Sequence, residues 1–69
     1  MCKIQQEVKK VAKNSDVADA ATSFGMSAQV LAQLVIGKGM SPAETRASQA
    51  VVQKAGGGKT LKALRQAHG

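Results

Sequence analysis

Aromatic residues are nearly missing: the 69-residue chain has one, Phe24, and neither Trp nor Tyr. Its interior must therefore be assembled from Ala, Val, Leu, Ile and Met, side chains that each bury modest area. A chain this short buries only about 60% of the surface its unfolded form exposes, so a thin core is expected, and self-association would reinforce it. The single cysteine, Cys2, cannot close an intrachain bridge. That excludes the disulfide framework of a secreted mini-protein and fits a reducing cytoplasm. The single histidine, His68, has no second histidine to join it and no carboxylate near it in sequence. Neither metal-ligand spacing nor a nucleophile–base arrangement occurs, so the residues point to no enzyme, no metal and no cofactor.

Long apolar runs are missing too. The best stretch, Val30 to Ile36, contains Gln33 and falls far short of the about 20 residues that a spanning helix needs. Charge interrupts the N-terminal segment from Lys3 to Lys10, which leaves no secretory signal there. A soluble cytoplasmic protein without a membrane segment is the expectation. Acidic residues are scarce: four Asp and Glu stand against ten Lys and Arg, for a net charge of +6. Such a balance favours a polyanionic partner, nucleic acid or an acidic membrane surface, without choosing between them.

What is present reads as helices separated by capping residues. Ile4, Val8, Val11 and Ala12 share one side of a first helix, with Lys3, Lys9, Lys10 and Lys13 on the other. Asn14 and Ser15 offer capping oxygens to a second helix from about Asp16 to Ser23, whose Asp16 and Asp19 suit the positive end of the helix dipole. Gly25 can adopt the positive φ of a helix C-terminal turn. Ser27 can cap a third helix, Ala28 to Ile36, with Met26 and Leu31 as a hydrophobic staple. Gly37 and Gly39 end that helix. Ser41-Pro42-Ala43-Glu44 is the strongest start signal in the chain, a Ser cap followed by Pro at the first helical position and Glu placed to bond back. The fourth helix runs to about Ala55, and its stripe of small residues, Ala43, Ala47, Ala50 and Val51, suits close packing against another helix. Gly56-Gly57-Gly58 reads as a hinge, and a short fifth helix follows from about residue 60 to 67, capped by Thr60. The chain is thus expected to be one all-α domain of four or five short helices.

Gly56-Gly57-Gly58-Lys59-Thr60 invites a phosphate-loop reading. The leading glycine of that motif would fall at Gln53, however, and a helix rather than a strand precedes the loop, so a helix–helix hinge is preferred. Its exposed amides and Lys59 could still hold a DNA phosphate.

The segment from Val17 to Ile36 resembles the helix-turn-helix of the phage repressor and Cro class. Ala21 and Gly25 match the small residue and the turn glycine, and Ala20, Phe24, Met26, Leu31 and Leu34 match the apolar positions that lock the two helices. The resemblance implies a DNA-binding helix-turn-helix over about residues 16–36. Ser27, Ala28, Gln29, Ala32 and Gln33 would then form the face that enters the major groove. Gln29 and Gln33 can each pair bidentately with adenine. The third helix lacks Lys and Arg, so phosphate contacts would come from Lys9, Lys10, Lys13, Lys38, Arg46 and Lys59. A homodimeric, phage- or plasmid-type transcriptional regulator is the function this implies.

Two other readings remain open. Val30, Val35, Ile36 and Met40 could form an apolar patch that docks on a protein partner, making the chain a helical interaction module. The third helix would then be a core or interface element rather than a reading helix. A basic amphipathic peptide acting at membranes is the other, and the repeated caps and helix breaks favour a folded domain over it.

Overall fold

The computed structural model describes residues 3–68, and the side chains of residues 6–68. Cys2 and the side chains of Lys3 and Ile4 lie outside this set. The described residues form five helices and no strand: α1 (Lys3–Ala12), α2 (Ser15–Phe24), α3 (Ala28–Ile36), α4 (Pro42–Lys54) and α5 (Gly58–His68). The chain is all-α.

Each junction has an identifiable chemical cause. Asn14 Oδ1 accepts the Asp16 amide at 2.9 Å and opens α2. At the other end Gly25 takes φ 71°, its amide donates to the Thr22 carbonyl at 3.2 Å, and the Met26 amide donates to Ala21 at 3.0 Å. This pair of bonds is a Schellman closure, which needs a residue tolerant of left-handed backbone. Ser27 Oγ then accepts the Val30 amide at 3.2 Å and starts α3. Before α4, the Ser41 hydroxyl accepts the Glu44 amide at 3.2 Å and donates to Glu44 Oε1 at 3.0 Å.

The α4–α5 junction differs from the sequence expectation. Gly56 takes φ 73°, and the Gly57 amide reaches back to the Val52 carbonyl at 2.8 Å. The Gly57 carbonyl accepts the Leu61 amide at 2.9 Å. Gly57 therefore closes one helix and caps the next, so α5 begins at Gly58 and Thr60 lies inside its first turn. Gly57 is also buried, and a Cβ placed on it would collide with the Phe24 ring. Part of the expected hinge is thus a packing contact between the end of α2 and the start of α5.

α3 is the central element. It packs on all four other helices, most extensively on α1 and next on α2. Leu31 and Ala32 are fully buried and Leu34 nearly so, with Val8, Val17, Ala20, Ala21, Val35, Val52 and Leu61 completing the core. Burying each Val or Leu is worth about 1.5–3 kcal/mol, so stability rests on a few aliphatic side chains arranged around one helix.

α4 faces the other way from the expectation. Ala43, Ala47, Ala50 and Val51 all point to solvent, and Val52 is the residue buried, with Thr45, Ser48 and Gln49 half-buried beside it. Alanine methyl groups bury little area, so the single valine on the opposite side sets the orientation. No helix among the described residues is long and apolar enough to cross a membrane.

Candidate nucleic-acid interface

The second and third helices are joined by Gly25, Met26 and Ser27 alone. Ala21 at the end of α2 and Leu31 and Leu34 on α3 are buried, while Phe24 and Met26 pack half-buried against the same core. These contacts fix which side of α3 remains outward. With four helices around it, α3 keeps a narrow outer sector. Gln29 is exposed, and Val30, Gln33 and Ile36 are half-buried. Gln29, Gln33 and Ile36 follow one another at spacings of four and three, which places them in one line along the helix. Ser27, just before the helix, is exposed as well.

One residue of the expected reading face lies elsewhere and another at its margin. Ala32 has no exposed surface. It lies in line with Ala28, one turn earlier, and Ala28 is half-buried and packs against the core. Wrapping by the surrounding helices removes this side of α3, so the outward face contracts to Ser27, Gln29 and Gln33, with Ala28 at its edge. Gln33 is also engaged within the chain: its Nε2 donates to the Gly39 carbonyl at 3.4 Å. That contact ties the loop after α3, which carries exposed Lys38, to the outer sector of the helix.

Lys9, Lys10, Lys13, Lys38, Arg46 and Lys59 are all exposed, as are Lys54, Lys62 and Arg65, which the sequence reading did not single out as phosphate contacts. Among the described residues no lysine or arginine pairs with a carboxylate; the side-chain contact to a carboxylate from another helix joins His68 Nε2 to Glu7 Oε2 at 3.0 Å. Arg65 has a further role, because its Nε donates to the Leu34 carbonyl at 3.2 Å. That carbonyl belongs to the last turn of α3, where intrahelical partners run out. No family model, curated protein or solved structure matches the chain.

The fold gives His68 the carboxylate its sequence neighbourhood lacks. Glu7 lies 61 residues away in the chain and is brought to it by the approach of α1 and α5. The pair borders an open groove that also includes Lys10, Lys13 and Asp16 on its rim and Val11, Val17, Val35 and Leu64 on its floor. Lys10 and Lys13 therefore share a face with acidic groups, whereas Lys38 stands beside the outer sector of α3. Among the described residues no cluster of three His, Cys, Asp or Glu could hold a metal ion.

The apolar patch of the interaction-module reading is not assembled as drawn. Val35 is only 6% exposed, and Ile36 and Met40 pack against the core. Among the described residues the exposed large hydrophobic one is Val51, on α4.

Proposed function

We propose that this chain binds duplex DNA through the outer sector of α3. Ser27, Gln29 and Gln33 face the base edges in the major groove, and the exposed cations, Lys38 nearest the helix, contact phosphates. The observation that carries the proposal is the pair of outward amides, Gln29 and Gln33, on a helix held by packing on its other sides. A reading helix must present hydrogen-bonding side chains at a fixed angle, and the tight Gly25 turn and the buried Leu31 and Leu34 supply that rigidity. The described lysines and arginines, none of them in an ion pair with a carboxylate, favour the same partner, because an unpaired cation is available to displace counterions from phosphate.

On this reading the chain is a small transcriptional regulator of the phage or plasmid kind, acting in the cytoplasm as a homodimer on a two-fold site. The test is a titration of the chain against a random duplex pool at several salt concentrations, with sizing of the free protein and the complex. Log affinity falls with log salt at roughly −0.9 per phosphate neutralised, and the complex contains two copies. Absence of binding, or binding indifferent to salt, contradicts the proposal.

A further inference from the structure

We propose, resting on the DNA-binding reading above, that the target is an A·T-rich half-site. In it Gln29 and Gln33 each take one adenine, about two base-pair steps apart, with thymine methyl groups against Ala28 and Val30. The argument begins from what α3 does not carry. Its sequence, AQVLAQLVI, contains no Lys, Arg, Asp or Glu. Guanine is read in the major groove chiefly by Arg or Lys on O6 and N7, and cytosine by a carboxylate accepting from N4. α3 provides neither partner. Its polar side chains are two glutamines, and a Gln amide matches the N6 donor and N7 acceptor of adenine.

The geometry sharpens this assignment. Four residues of helix rise about 6 Å, close to two base-pair steps of about 3.4 Å. The Gly39 carbonyl accepts one N–H of Gln33 at 3.4 Å. An amide nitrogen has two hydrogens, so the second remains to donate to adenine N7 while Oε1 accepts from N6. The Gly39 contact therefore leaves one N–H and the Oε1 of the amide to read the base, and at that length it is a weak bond that costs little to adjust. Ala28 and Val30 flank Gln29 and are both half-buried, so each keeps some apolar surface outward. A thymine C5-methyl is the base-edge feature that apolar surface matches.

The test uses the full chain. Duplexes retained from a random pool are sequenced, and the preferred site is rebuilt with 7-deazaadenine, which replaces the N7 acceptor with C–H, at one adenine at a time. Uracil replaces thymine in a second series to remove the methyl group. Retained sites are expected to share two adenines about two steps apart, and each deaza substitution to weaken binding roughly tenfold, within the range for a bidentate contact. Gln29→Ala should show a smaller further loss when its own adenine is already modified, because only the N6 bond then remains to lose, and a full additive loss at the other; Gln33→Ala should do the converse. Uracil should weaken binding to a smaller extent. Retained sites centred on G·C pairs, or duplexes held equally whatever their sequence, overturn the A·T assignment and leave DNA binding intact. Failure to retain any duplex at low salt overturns the DNA-binding reading and this inference together.

Discussion

Gly57 and Gly58 are adjacent and chemically identical, yet their environments differ. A Cβ at Gly57 would enter the Phe24 ring, whereas at Gly58 it would meet nothing within 4 Å. Gly57→Ala is therefore expected to cost about 1–3 kcal/mol through overpacking. Gly58→Ala, in the first turn of α5, is expected to stabilise by about 0.4–1 kcal/mol by restricting the unfolded chain. Thermal unfolding separates them, since each kcal/mol moves the midpoint by about 4–8 °C in a domain of this size. Equal midpoints would mean that the ring does not rest on Gly57. The three consecutive glycines were legible as a helix break because glycine's freedom is a local property. The packing of Phe24 on the second of them was not, because it depends on how α2 and α5 meet.

At the scale of elements, α3 serves both as core and as candidate site. Its limits were legible, since Ser27 and Gly37 carry the cap chemistry. Its outer face was legible only in part. Gln29 and Gln33 face outward, but Ala32 is small enough to suit either side, and the surrounding helices decide its place. α4 shows the same limit: Val51 and Val52 are neighbours about a quarter-turn apart, and local periodicity cannot say which one α3 and α5 will cover. The caps are a different matter, because their partners lie within the same turn. Ser41→Ala removes both the acceptor for the Glu44 amide and the donor to its carboxylate. A loss of about 0.5–2 kcal/mol is expected in denaturant unfolding. A stability equal to that of the parent would show that Pro42 and packing alone hold the start of α4.

For the whole molecule, the charge pattern and the packing combine into one account: a thin aliphatic core built around α3, with exposed cations on α1, α4 and α5 and in the loops after α1 and α3. The net charge of +6 was visible in the sequence. The absence of Lys or Arg ion pairs among the described residues was not, because pairing depends on which helix faces meet. His68 and Glu7 illustrate the point from the other side, since only the fold brings them together. The central claim is that the outer sector of α3 reads DNA while its inner sector holds the fold, and this division can be measured. Stability and discrimination between a preferred site and random duplex are determined together for Gln29→Ala, Gln33→Ala and Leu31→Ala. The account predicts that Gln29→Ala changes stability by less than about 0.5 kcal/mol, that Gln33→Ala, which also loses the Gly39 contact, costs no more than about 1.5 kcal/mol, and that each loses about 1–3 kcal/mol of discrimination. Leu31→Ala should lose about 2–5 kcal/mol of stability, with binding falling only as the protein unfolds. Glutamine variants that keep full discrimination, or that unfold as readily as Leu31→Ala, would contradict the account and make α3 a structural element alone.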